Sequence, residues 1–203
     1  MYWMQGEPPE HIQKIIDSWR ALPNVDIRLF DDQSAQHFIQ SHLGQRYVDA
    51  YLRCNIPAMR SDYFRWCLLV KRTGIYADTD LEIMDFEALY SHAKKDGLMI
   101  LRKAKREHGW NVRNDLIIVH KRNTPIIKYA LKTATENIEA RRHEKVWLAT
   151  GPAILTFYRF KDPTRFERWT LLPQHLGDKY VKVHNPPYKK TSIHWFGRTD
   201  LYR

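Results

Sequence analysis

In the stretch "GIYADTDLE", residues 74–82, apolar residues run straight into two aspartates one residue apart, Asp78 and Asp80. Residues i and i+2 of an extended chain project to the same side. Both carboxylates are therefore expected to aim at one point, where they repel each other unless a cation lies between them. A hard divalent ion, Mn²⁺ or Mg²⁺, held by one or two carboxylates and completed by substrate phosphates, fits that demand. The same pair also fits a turn or a helix N-cap, since aspartate is common in both.

Upstream, "SDYFR" places Asp62 and Arg65 three residues apart, on one face of a helix. An intrahelical salt bridge is the simplest reading. Beside an acidic strand end the pair can do more: the carboxylate can accept from a ribose or base, and the guanidinium can reach phosphate. Asn114 and Asp115 open the apolar run "LIIVH". They suit a turn before a strand, and equally two polar groups on the reacting face of a cleft.

These residues need elements to hold them. Ile12, Ile15, Ile16 and Trp19 recur at helical spacing behind two prolines, with Pro23 as a stop. "DIRLF" alternates as a strand, and residues 31–52 suit two short helices broken near Gly44. "IPAMRSDYFRWCLLVKRTG" is expected to be a helix, opened by Pro57 and closed by Gly74 at C′. Strands follow in "IYAD", "LMILRK", "DLIIVH", "WTLLP" and "SIHWF", with a helical turn around "MDFEALYSHAK", a polar loop "AKREHGWNVRN", and helices over 124–141 and "GPAILTFYRF". Alternating strands and helices in one domain over 1–203 predict an α/β fold, with a mostly parallel central sheet flanked by helices. In such sheets ligands sit at the carboxyl ends of the strands, where Asp78 and Asp80 fall.

Composition bounds the function. The chain of 203 residues is 43% hydrophobic, enough for one buried core, and carries seven Trp, eleven Tyr and eight Phe. Cys54 and Cys67 have no paired spacing and read as thiols of a reducing compartment, which predicts a soluble, cytoplasmic protein. No apolar run spans a bilayer, and the start has no signal-peptide pattern. A formal charge of +10 calls for an anionic partner. A basic nucleic-acid-binding module is the rival reading. It predicts a continuous basic stripe, whereas the charge here is scattered and acids occupy the supposed site, so nucleic acid is not expected as a partner. A phosphohydrolase would want more carboxylates or histidines around two metals.

The block "SDYFRWCLLVKRTGIYADTDLE" resembles the signature of the family 32 glycosyltransferases and their relatives, including domains of large algal viruses. "YWMQGEPPEHIQKIIDSW", "LATGPAILT" and "SIHWFG" are similar to further blocks of that family in the same order. The resemblance implies a GT-A fold and a metal-dependent transfer of sugar from a nucleotide-sugar donor to a glycan acceptor, with retention of configuration. A UDP-sugar is favoured over a GDP-sugar. It implies that Tyr2 and Trp3 bind the donor, with Trp3 stacking on the base, that Asp62 and Arg65 hold the ribose and sugar-phosphate region, and that Asp78, Thr79 and Asp80 engage sugar and metal. His194 is expected to complete the metal site, with Trp195 beside it at the donor. A noncatalytic sugar-nucleotide binder remains the alternative. The pattern departs from the family in two places: Thr73-Gly74 replaces paired glycines, and "GRTD" replaces a block that ends in Trp. The first strand is nearly missing, and "GRTDLYR" suits a chain that continues, so the domain is expected to be the N-terminal part of a longer protein.

Overall fold

The computed structural model describes the chain except Gln5, residues 104–109, residues 188–197 and Thr199. Its elements run α1 (Glu10–Arg20), α2 (Asp32–His42), α3 (Gln45–Arg53), α4 (Pro57–Lys71), β1 (Gly74–Ala77), β2 (Leu81–Ile83), α5 (Phe86–Ser91), β3 (Gly97–Lys103), β4 (Trp110–Val119), α6 (Pro125–Glu139), α7 (Val146–Ala149), α8 (Ala153–Lys161), β5 (Trp169–Pro173), α9 (Gln174–Tyr180) and β6 (Val181–Val183). The expected α/β class, with helices packed on a central sheet, is what forms.

The sheet has the order β1-β4-β3-β5. β4 is antiparallel to both of its neighbours, and β3 pairs with β5 in parallel. Strands β1, β3 and β5 therefore share one direction, while β4 opposes them. The sheet is mixed: the parallel majority holds for strand direction but not for neighbouring pairs. The cause is the connection between β3 and β4, residues 104–109, which is too short for the crossover that a parallel neighbour requires. β4 also takes in Trp110 to Asn114, which sequence patterning leaves in a polar loop. A second, two-stranded ribbon pairs β2 with β6. Sequence patterning does not single out β6, and the expected strand "SIHWF" lies outside the described residues. "DIRLF" contributes one parallel bridge, Phe30 to Tyr2, bracketed by Trp3 N–H on Phe30 O at 2.8 Å and Phe30 N–H on Met1 O at 3.0 Å.

Alternation along the strands divides the core between two layers. Tyr76, Met99, Leu101, Ile117 and Val119 belong to the core built with α4, α6 and α8. Ala77, Leu98, Ile100, Leu116 and Ile118 pack in a second core with Ile12, Ile15, Ile16 and Trp19 of α1. Trp19 Nε1 donates to Leu81 O at 2.7 Å, tying α1 to the start of β2. Pro57 occupies the first turn of α4 as expected, but the helix ends on an extended Arg72, and Gly74 opens β1 at φ +128°. Both cysteines are buried free thiols, and burial pushes both thiols up. Among the described residues no helix is long and apolar enough to cross a membrane.

Candidate active site

Arg65 is the centre of the site. It sits in the middle of α4, on the face turned toward β1, and is 1% exposed. A guanidinium taken out of water needs partners for its charge. Nη1 donates to Asp62 Oδ1 at 2.7 Å, one helical turn back, and Nη2 donates to Asp78 Oδ1 at 2.6 Å, at the end of β1. Its plane lies over the Tyr76 ring, with Cζ 4.4 Å from the centroid, a cation–π contact inside a dry region. The Tyr76 hydroxyl is 2.8 Å from Ser61 Oγ, so α4 grips β1 at two points. Arg65 Nε is buried without a hydrogen-bond partner among the described residues. Burial works against the charge, yet Asp78, Tyr76 and Asp62 hold the Arg65 pKa above its ordinary value.

Asp78 and Asp80 do not lie on an extended strand as the spacing suggests. β1 ends at Ala77, and Leu81 N–H donates to Asp78 O at 3.1 Å, closing a turn through Thr79 and Asp80 before β2 begins. The turn is pinned from both sides. Asp78 N–H donates to Asp115 O on β4, and His184 N–H, just past β6, donates to Asp80 O, each at 2.8 Å. Thr79 and Asp80 are buried, at 6% and 8% exposure. Two neighbouring acids need a cation between them, and Arg65 already supplies part of that charge to Asp78.

The carboxylates titrate accordingly. Burial pushes Asp78 up to about 7; Arg65 opposes that rise, while Asp80, Asp115 and Asp62 add to it. Asp62 is raised too, first by burial and then by Asp115, against the pull of Arg65 and Asn114.

The structure joins Asn114 to this cluster, since its Nδ2 donates to Asp62 Oδ1 at 2.8 Å. Asp115 contributes its backbone carbonyl, but its side chain is engaged elsewhere. Arg113 Nε donates to both carboxylate oxygens at 3.0 and 3.1 Å, and Arg113 Nη1 reaches Asp178 of α9 at 3.3 Å. Tyr2 is 6% exposed; its ring packs against Phe64, and its hydroxyl meets Asp32 and, at 3.0 Å, the Tyr51 hydroxyl. Its ring therefore has almost no free face for a ligand. Trp3 is half-buried and lines a cleft of about 1360 Å³ with Phe30, Phe38 and Arg72. A second cleft, of about 1060 Å³, reaches Met1 and Ala77, next to Asp78. Neither is lined by Arg65, Asp78 or Asp80 themselves. His194 and Trp195 lie outside the described residues.

The donor set suits a hard cation: Asp78 and Asp80 offer oxygen ligands, and Asp78 Oδ2 carries no hydrogen bond among the described residues. No three His, Cys, Asp or Glu side chains converge as a ligand set among those residues. Tyr76, Ser61 and His184 join the site without a spacing that marks them in the sequence. The alternation in "YVKVH" is the one signal that could have placed a strand, and so His184, beside the acidic turn.

Residues 9–94 match the family model described as "Glycosyltransferase sugar-binding region containing DXD motif". The chain is 26% identical over 87 residues to the "Initiation-specific alpha-1,6-mannosyltransferase" of Schizosaccharomyces pombe (strain 972 / ATCC 24843), a match that covers 39% of this chain and 22% of that relative. The chain thus spans less than a quarter of the length of the curated relative it matches. Among solved structures, "PaToxG Glycosyltransferase" superimposes with a TM-score of 0.52 at 16% identity, over 82% of this chain and 69% of that one. At that identity the likeness concerns the fold. Residues 9–94, which run from α1 through the Asp78–Asp80 turn to α5, match a glycosyltransferase sugar-binding region containing a DXD motif, and the chain that carries them has the fold of a glycosyltransferase.

Proposed function

We propose that the chain transfers a sugar from a nucleotide-sugar donor, a UDP-sugar in the first instance, to a glycan acceptor, using Mn²⁺ or Mg²⁺ and retaining the anomeric configuration. The observation that carries this reading is the buried Arg65, which holds Asp62 of α4 and Asp78 of the acidic turn on one guanidinium. Loss of the diphosphate leaves positive charge at the anomeric carbon and negative charge on the leaving group, so fixed charges aimed at those points lower the barrier. The divalent ion would be held by Asp78 and Asp80, with His194 as the further candidate, and would supply charge to the departing diphosphate. Arg65 fixes the direction of Asp78, while Asn114 and Arg65 together fix Asp62, the acceptor for a ribose hydroxyl. Trp3, at the edge of the larger cleft, is the candidate to stack on the base. The Asp115 carboxylate is engaged by Arg113, in keeping with a route that needs no strong general base.

The test is calorimetry and thermal shift with a panel of UDP- and GDP-sugars, with and without Mn²⁺, on the wild type and on Asp80→Ala. A mannose-bearing donor belongs in the panel because of the relative's name. One donor should stabilise the wild type in a metal-dependent way and leave the variant unmoved. Equal shifts in both proteins would remove the metal assignment.

A further inference from the structure

The β2–β6 ribbon carries a third carboxylate close to the acidic turn. Glu82 follows Asp80 by two residues, lies opposite Lys182 in the register, and has a side chain 31% exposed. Its Oε2 lies 2.7 Å from His184 Nε2 and 3.9 Å from Lys182 Nζ. The same His184 uses its backbone N–H on the Asp80 carbonyl. One residue therefore grips both the turn and the next acid along the chain. A carboxylate released on so short a ribbon could swing toward Asp80, compete for its cation, and repel a diphosphate arriving there.

We propose that His184 is a positioning residue of the acidic turn: its imidazole holds the Glu82 carboxylate in place while its N–H fixes Asp80. Groups that orient metal-binding side chains from behind weaken metal affinity by about 10- to 100-fold when lost. The inference rests on the metal and nucleotide-sugar reading above and deepens it.

The experiment measures binding of Mn²⁺ alone, and of the donor that the wild type selects from UDP-glucose, UDP-galactose and GDP-mannose, together with thermal unfolding. His184→Ala should weaken metal-dependent donor binding about tenfold, with its unfolding midpoint within about 2 °C of the wild type. His184→Gln, whose amide can still donate to Glu82, should restore binding. So should Glu82→Gln added to His184→Ala, because the loose charge is then gone. A structural role for the histidine would not be rescued by changing Glu82. Wild-type binding in His184→Ala overturns the proposal, as does failure of the double variant to recover. If the alanine variant does not fold, His184→Asn, too short to reach Glu82, replaces it with the same expected loss. A wild type that binds no donor with Mn²⁺ overturns the functional reading itself, and the inference with it.

Discussion

Arg65 Nη2 donates to Asp78 Oδ1 at 2.6 Å, from a guanidinium that water does not reach. The bond joins the middle of α4 to the end of β1, and so makes the geometry of the acidic turn depend on helix packing. Removing one partner of a buried pair leaves the other uncompensated, at a cost of about 3–5 kcal/mol. Arg65→Met should lower stability by that order in urea unfolding, because Asp62 and Asp78 both lose their cation. Asp62→Asn, which leaves Arg65 its bond to Asp78, should cost clearly less. Equal losses would mean that the two carboxylates do not share the guanidinium as described.

Asp78 links stability to pH. A free aspartate releases its proton near 3.8, and Asp78 does so at about 7 in the folded protein. Between those values the folded state binds the proton and the unfolded state does not. The stabilising contribution is thus complete below 3.8 and is lost as pH rises through 7. Thermal unfolding of the metal-free protein between about pH 4 and 8 should show this fall, and Asp78→Asn should flatten it. Asp62, shifted in the same direction, leaves a smaller slope in the variant. Identical slopes in wild type and variant would contradict the raised value.

Tyr2 is buried and the adjacent Trp3 is half-buried at the edge of a cleft, and their variants should separate. Tyr2→Phe removes a hydroxyl bonded to Tyr51 and Asp32, so stability should drop by about 1 kcal/mol with donor affinity unchanged. Trp3→Ala should leave the fold in place and weaken donor binding by about tenfold, the size of one lost base–aromatic stack. Calorimetry alongside chemical denaturation reads both. Loss of donor binding in Tyr2→Phe alone would reverse the assignment.

Gly97 opens β3 at φ +145°, where a Cβ would lie 1.9 Å from the carbonyl oxygen of Ile118 on β4. A side chain meets both backbone strain and a rigid neighbour there. Gly97→Ala should cost at least about 2 kcal/mol, visible as a lower denaturation midpoint. Gly44→Ala, with open space around its Cβ at φ +94°, should cost less.

Local chemistry was legible in the residues alone. The i,i+3 spacing of Asp62 and Arg65 is the ion pair observed. The apolar periodicities of α1 and α4, the break at Gly44 between α2 and α3, and the strands "LMILRK", "DLIIVH" and "WTLLP" all form near where patterning puts them, because each depends on neighbours within a few residues. What the sequence could not contain was anything set by residues far apart in the chain. The pinning of the Asp78-Thr79-Asp80 turn by the Asp115 carbonyl and the His184 N–H, and the reach of Arg113 to Asp178, arise from long-range pairing. Packing likewise decides that Tyr2 is buried while the adjacent Trp3 is only half-buried, which neighbouring positions in the chain do not reveal. Residue types set which charges exist; the folded chain alone decides which of them meet, because the energy of a buried charge depends on what surrounds it.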